Sequence, residues 1–576
     1  MKEKLPTFRE YLYILRTLPL KEKTVFVALS FLFILGVLGV LWKLDNRFLT
    51  DTPSAGGSLV EGIIGTPRFI NPVLASSDAD RDLVGLVYSG LMRPDNRGGL
   101  ELDLAESYKI SDDGLTYTFT LKPKLLWSDK KPLTADDIVF TVEEAKDPNV
   151  KSPRRASWEG VAIEKIDERV VVFTLKKPYA PFLENTTIGI LPKHIWEDAS
   201  SEQMIFSEFN VNPVGSGPYK VKNIRRNNSG IANSYTLARN KYFALNAPYL
   251  KEIILKFYPS EEAVVEAYKL GAVTSVGGIS SRSAEIAGEN STNMKTLFLP
   301  RVFAVFFNQS NNPALAYKEV REALDLATDK NKIIQDVLGG YAVGLHYPIP
   351  PGTFGSIVED KATRRDHAPD VEGAKRKLEA AGWKYNEEDK VYEKTIKKEK
   401  VKLEFALATS DVQELKAAAD ELTAMWNAIG AKVRINIFET GDLNQNIIRS
   451  RKYDALLFGI VVGRDPDPFA FWHSSQRNDP GLNIASYANI KVDKILEEAR
   501  GTGANEKRES LYQDFEREVV KDTPAIFLFS PQFIYVLPKH MRSTVDIESI
   551  TVPSERFSQI HTWYTESDKI WKIFTN

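Results

Sequence analysis

KVKLEFALATSDVQELKAAADELTAMWNAIGAKVRINIF, residues 400–438, changes its apolar spacing twice in thirty-nine positions. Lys400 to Ala408 reads as a strand. Val412 to Ile429 places Leu415, Ala419, Leu422, Met425, Trp426 and Ile429 on one helical face, and Lys432 to Phe438 returns to strand. Two strands joined by a helix predict a parallel pair with a right-handed crossover. Tyr453 to Val462 (YDALLFGIVV) follows as a further buried strand, and from Val302 onward strands alternate with longer helices, the signature of α/β layering. In open α/β sheets the loops at strand carboxyl ends line the ligand crevice, which makes GRDPDP, residues 463–468, a candidate site.

The N-terminal half reads differently. Ser58 to Gly65 looks like a buried strand, the loop TPRFINPVLASS follows, and Asp80 to Met92 repeats Leu83, Val84, Leu86, Val87 and Leu91 at helical spacing. Tyr117, Phe119 and Leu121 alternate with threonines, predicting a half-buried strand. Thr134 with Asp136 and Asp137 opens a capped helix, and Ala162–Ile166 and Val170–Leu175 flank the polar turn Asp167-Glu168-Arg169.

Thr24 to Trp42, TVFVALSFLFILGVLGVLW, carries no charged side chain over nineteen residues. That is long enough to cross a hydrocarbon core of about 30 Å as a helix. Lys2, Lys4, Arg9, Arg16, Lys21 and Lys23 precede it, so the positive-inside bias puts residues 1–23 in the cytoplasm and the bulk of the chain outside, in the periplasm or at the cell surface. The apolar run exceeds that of a secretory signal, and the nearest cleavage context, Pro53-Ser54-Ala55, lies well past it, so an uncleaved single-pass anchor is expected. Residues 43–57 read as a tether that reaches at most about 50 Å.

The chain has no cysteine, which excludes a lipidated N-terminal cysteine, disulfides and thiolate metal sites. A formal charge of −2 sets nucleic-acid binding aside. The six histidines are scattered, and HExxH, GxSxG and P-loop patterns are missing; Ser128 and Lys131 match SxxK without its partner motifs and read as a surface loop. No catalytic residue, metal site or cofactor is expected. Asp465 and Asp467 alternate with Pro466 and Pro468 in a stiff loop suited to recognition, with an Asp-Pro turn as the plain alternative. Phe469, Phe471 and Trp472 either wall a pocket or belong to the core.

Several segments together resemble family 5 of the bacterial extracellular solute-binding proteins, the dipeptide- and oligopeptide-binding components of ABC importers. They include EGIIGTPRFINPVLASSDADRDLVGLVYSGLM (61–92), NPVGSGPYKV (212–221), FFNQSNNPALAYKEVREALDLATDK (306–330) and YDALLFGIVVGRDPDPFAFW (453–472). The resemblance implies an α/β, two-lobed hinged clamshell of the type II periplasmic-binding kind with an extra β-rich domain. Lobe one would cover 58–88, 212–300 and 524–576, the extra domain 89–211, and lobe two 301–523. The glycines of 212–221 would allow a tight return into lobe one. It further implies a monomeric receptor that closes on a peptide or similar extended solute and delivers it to permease subunits and their ATPase, with Arg464, Asp465, Asp467, Phe469, Trp472, Asn308, Asn71 and Tyr88 as ligand contacts.

Many peptide-binding relatives carry an acid where Arg464 falls, and the residue before the loop is Val461 or Val462 rather than tryptophan. A guanidinium there would favour a carboxylate, phosphate or sugar hydroxyl. Two alternatives stay open: Asp465 takes the amine-binding role, or Arg464 turns outward to a nearby acid. A tethered peptide chaperone or sensor, and a surface hydrolase using Asp465 and Asp467, are the competing functions.

Overall fold

The computed structural model describes residues 9, 13, 16–288, 293–357, 368–503 and 505–571, apart from the side chains of 44–47. Most of the predicted cytoplasmic arm, together with His367, lies outside the described residues. The chain divides into two units, one formed by residues 1–56 with 564–576 and the other by Gly57–Trp563.

In the first unit a single helix runs from Leu20 to Phe48. Its Leu20–Lys43 stretch is long and apolar enough to cross a membrane, with a mean hydropathy of 2.7 and none of its residues buried in protein. The expected tether at 43–57 is corrected here. The helix continues to Phe48, and Leu49–Ser54 then forms a strand antiparallel to Glu566–Trp571, with Leu49 opposite Trp571 and Ser54 opposite Glu566. Phe48 stacks on Trp571 at 6.3 Å. The C-terminal residues expected in lobe one therefore pair with the segment after the anchor, and backbone hydrogen bonds replace free chain.

The second unit is organised around the strand Ala525–Val536. Its first part pairs antiparallel with Arg301–Phe307, which pairs with Ala455–Val461. Beyond that lie Glu404–Ser410 and Lys432–Phe438, parallel to one another as the helix Gln413–Ala428 between them requires. The later part of Ala525–Val536 pairs with Ser275–Gly277 and Met294–Phe298. From there the sheet continues through Gly56–Ile64, Leu250–Tyr258, Ala232–Arg239 and Tyr219–Arg226. One twelve-residue strand thus serves both halves of the sheet.

The predicted strand 400–408 is split. Glu399–Lys402 belongs to a small antiparallel sheet with Val391–Ile396 and Lys384–Asn386, and the layered sheet starts only at Glu404. The apolar stripe of the crossover helix is buried at Leu415, Ala419, Leu422 and Trp426, as its spacing predicts.

Between these strands in sequence, Ala105–Ile110, Thr116–Leu121, Val170–Leu175 and Val161–Asp167 form a four-stranded antiparallel sheet. Tyr117, Phe119 and Leu121 all point into the core. The helix Ala135–Lys146 opens with Asp137 accepting from the Thr134 amide at 2.8 Å. The helix expected over 80–92 spans Asp78–Val87 instead. It stops because the Val87 carbonyl accepts from the Gly217 amide at 2.8 Å, and the chain turns away at Tyr88. A Cβ on Gly217 would lie 2.5 Å from the Val87 carbonyl carbon, and one on Gly215 2.0 Å from its oxygen, so this return requires glycine.

A buried ion network ties the first half together. Arg556 donates to both Asp82 oxygens at 2.7 Å and to Glu61 at 2.8 Å, and Tyr535 donates to Glu61 at 2.6 Å. Burial raises the pKa of both acids, with Arg556 opposing that shift. Arg556 lies in the turn Pro553–Phe557, so this network fixes Glu555 and Phe557 on either side of it.

Candidate functional site

The strand Ala455–Val461 ends at Gly463, whose φ of +86° turns the chain sharply into Arg464. The Arg464 side chain is only 5% exposed and crosses from the second half of the sheet to the first. Its Nε donates to the Gly98 carbonyl at 3.0 Å and its Nη2 to Glu555 at 2.7 Å. Its Nη1 faces Glu184 at 3.6 Å without a hydrogen bond. Burial works against the guanidinium charge, but Glu555 and Glu184 outweigh it and its pKa rises. Burial pushes Glu184 up to about 7 although Arg464 holds it down. Of the alternative that Arg464 turns outward to a nearby acid, the acid pairing is present, but the side chain is buried and does not turn outward.

The two aspartates that follow are paired within their own half. Arg508 donates to Asp465 at 2.8 Å, with Tyr512 at 3.4 Å. Arg508 itself sits over the Phe354 ring at 4.6 Å. Burial raises the Asp465 pKa against the pull of Arg508. Arg500 grips Asp467 with Nε at 2.9 and 3.1 Å and Nη2 at 2.6 Å, and lies over Phe469 at 4.0 Å and Tyr179 at 5.7 Å. Two carboxylates held by separate arginines are set up to position a loop, not to exchange protons as an acid–base pair.

Glu184 and Glu555 also line a cavity of about 310 Å³. Tyr88, Met92, Trp158, Ile188 and Phe557 give it an apolar wall; Asp103, Glu184 and Glu555 supply acid, and Arg81, Arg93 and Arg154 supply base. Several buried polar atoms on it have no hydrogen bond within the protein: the Tyr88 hydroxyl, the Ser558 hydroxyl and one Asp103 oxygen. Burial pushes Asp103 up to about 6, with Arg93 opposing. Buried polar groups without protein partners cost free energy unless water or another group satisfies them.

A profile of the bacterial extracellular solute-binding proteins, family 5 Middle, matches residues 99–481. The chain belongs to this family. The oligopeptide-binding protein AppA of Bacillus subtilis is 29% identical over 497 residues, covering 85% of this chain and 89% of AppA. A probable D,D-dipeptide-binding periplasmic protein, DdpA of Escherichia coli, is 25% identical over 84% of this chain and 91% of its own length. Among solved structures, the ABC transporter substrate-binding protein CtaP of Listeria monocytogenes superposes with a TM-score of 0.74 at 26% identity, covering 89% of this chain and all of CtaP. AppA of B. subtilis in complex with a nonapeptide superposes at 0.65 and 26% identity, covering 89% of this chain and 99% of that one.

As a family 5 protein the chain is a two-lobed α/β molecule, and family 5 consists of solute-binding proteins. The Arg464 contact with Glu555 ties the loop after the strand Ala455–Val461 to the turn Pro553–Phe557. The remaining residues singled out from the sequence scatter. Tyr88 is buried on the cavity wall. Phe469 is half-buried, stacked on His473 at 4.0 Å and capped by Arg500. Trp472 lies in the core among Phe306, Tyr487, Phe515 and Phe527, not on a pocket wall. Asn308 donates to the Arg451 carbonyl at 2.9 Å. Asn71 is fully buried, donating to Asn210 at 3.2 Å and accepting from the Val73 amide at 2.9 Å. Both asparagines hold turns. Sequence reasoning missed Glu184, Glu555, Arg154, Arg500 and Arg508, whose only signal was charge in helices and loops far from residue 464.

Proposed function

We propose that this chain is a membrane-anchored, extracytoplasmic receptor of an ABC importer that captures a short peptide or similar small solute between its lobes and hands it to a permease. The carrying observation is the match to the solute-binding family, together with Arg464 reaching from the loop after the strand Ala455–Val461 to Glu555. A ligand bound between the lobes would stabilise the closed state by its differential affinity for it. The cavity's volume sits at the lower end of the range for small-molecule pockets, which favours short solutes over long oligopeptides. The names of the curated relatives support the peptide class.

In this reading lobe one comprises 58–88, 212–300 and the C-terminal stretch up to Trp563, the extra domain 89–211 and lobe two 301–523. The receptor acts as a monomer and has no enzymatic activity. The helix Leu20–Phe48 stays attached, with the N-terminus in the cytoplasm. Native mass spectrometry of the detergent-solubilised full chain, followed by thermal-shift screening with di- and tripeptides, tests the proposal. Saturation at 100 times Kd should stabilise by about 2.7 kcal/mol. A protein that carries no small molecule and shifts with no peptide would count against it, and a tethered chaperone or sensor is distinguished by normal peptide uptake in cells that lack the chain.

A further inference from the structure

The anchor helix does not stop at the edge of the hydrocarbon. Thr24–Trp42, nineteen residues, rises about 28 Å as a helix and fills a hydrocarbon core of about 30 Å. The same helix runs on without a break to Phe48, a further rise of about 9 Å that carries it through the headgroup layer. Side chains of a helix lean toward its N-terminus, so the Phe48 ring hangs back toward the bilayer. Trp571 stacks on that ring at 6.3 Å.

The ribbon that follows is graded along its length. Leu49 stands opposite Trp571 and Ser54 opposite Glu566, so Trp571 marks the end next to the helix and Glu566 the far end. Successive residues of a strand point to opposite faces, and Ile570 and Trp571 therefore make both faces apolar at the helix end. Phe48, Ile570 and Trp571 are 48%, 38% and 45% exposed. Further out the pairs are Asp51 with Lys569, Thr52 with Asp568, Pro53 with Ser567 and Ser54 with Glu566, charged or small on both faces. A sheet that packs on protein is apolar on one face and polar on the other. Here polarity changes with distance from the helix and not with face, which is how the surroundings change on leaving a bilayer. Tryptophan, with an apolar ring and one N–H, is the side chain suited to that step.

We propose that Phe48, Ile570 and Trp571 sit in the headgroup layer of the membrane that the helix Leu20–Phe48 crosses, so that the chain holds the bilayer through the strand Glu566–Trp571 as well as through the helix. The inference rests on the anchor reading above.

The distribution of the nine tryptophans makes the contact measurable. The seven from Trp127 to Trp563 are buried, which leaves Trp42 and Trp571 within reach of lipid. The full natural chain, Trp42→Phe, and Trp42→Phe with Trp571→Phe are reconstituted into phosphatidylcholine vesicles that hold no permease and contain lipid with a nitroxide on its headgroup. The nitroxide should quench the fluorescence of Trp42→Phe, and at least half of that quenching should vanish in the double variant. A second measurement leaves Trp571 in place. Ile570→Cys and Glu566→Cys, in the otherwise cysteine-free chain, put a spin label on one face of the ribbon at positions about 13 Å apart. The ratio of its collision rates with oxygen and with an aqueous nickel chelate should be at least threefold higher at 570 than at 566. If the double variant is quenched as strongly as Trp42→Phe and the ratio is the same at both positions, the lipid contact is overturned; a face reserved for a protein partner gives that result, since the vesicles contain none. If lipid with its nitroxide near the start of the acyl chain quenches the natural chain no more than Trp42→Phe, and carbonate washes the protein off the vesicles, the anchor reading falls and the inference falls with it.

Discussion

Replacing Arg464 with methionine tests the link between the lobes. The side chain is 5% exposed, and its partners Glu555 and Glu184 are 16% and 32% exposed. Removing one member of a fully buried charge pair costs roughly 3–5 kcal/mol, mostly because the other charge is left uncompensated. Glu184 is partly wet and can hold a proton near neutral pH, so the cost here should be nearer 2–3 kcal/mol. The cost falls on the closed state alone, since in an open molecule both acids face water. At 1.4 kcal/mol per factor of ten, the open-to-closed ratio should rise about 30- to 150-fold. The cysteine-free sequence makes the assay clean: Ser229→Cys and Glu387→Cys place one dye on each lobe for single-molecule energy transfer. Hydrogen exchange of residues 463–466 extends the range to open populations below one per cent. Arg464→Met with Glu555→Gln, which removes the stranded charge as well, should recover part of the loss. An open fraction that changes less than threefold in the single variant, with no recovery in the double, would refute the reasoning.

Burial lifts Glu184 from its ordinary 4.5 to about 7. Between those values the folded protein keeps a proton that the unfolded chain has released, so this contribution to stability falls as pH rises through the window, by about 1–2 kcal/mol after allowing for partial exposure. The natural chain should accordingly lose stability relative to Glu184→Gln from pH 4.5 to 7.5 in melting curves. That difference is the proper readout, because His561, lowered to about 4 by burial and by Arg93, acts in the opposite direction between about 4 and 6.5. Gly217→Ala should cost at least 1–3 kcal/mol, seen as a lower urea midpoint, because the added carbon would meet backbone at 2.5 Å that cannot swing aside. Thr50→Cys with Ile570→Cys, directly opposed across the ribbon, should form a disulfide under mild oxidation, whereas Thr50→Cys with Glu566→Cys should not; equal yields would contradict the pairing.

The layered half was legible because its information is local. A change from alternating to helical spacing over 400–438 is enough to place two parallel strands, and the glycines of 212–221 announced a close approach before Val87 was known to be the neighbour. What was not legible lies in contacts between residues far apart in sequence. Residues 49–54 are polar and contain Pro53, so they read as tether until Glu566–Trp571 is laid beside them. Leu403 breaks what looked like one strand because the residues before it pair with a hairpin that has its own sheet. Phe469, Phe471 and Trp472 gave no indication of which ring faces the core, and Trp472 was settled by four aromatic neighbours from four other segments. Asp465 and Asp467 were correctly placed in a stiff loop, but Arg508 and Arg500, which occupy them, lie 43 and 33 residues further on.

The reversed charge at 464 has a consequence for how a ligand can sit. With Asp465 and Asp467 both held by arginines, this loop offers no free carboxylate to a ligand's ammonium group, and Glu184 and Glu555 beside it are already engaged by Arg464. A ligand amine could enter that corner only by competing with Arg464 for Glu184, the weaker of its two partners, whose oxygen is 3.6 Å away and not hydrogen-bonded. Such an amine would loosen part of the contact that closes the lobes. A solute whose only charge is cationic must therefore trade one ion pair of Arg464 for another.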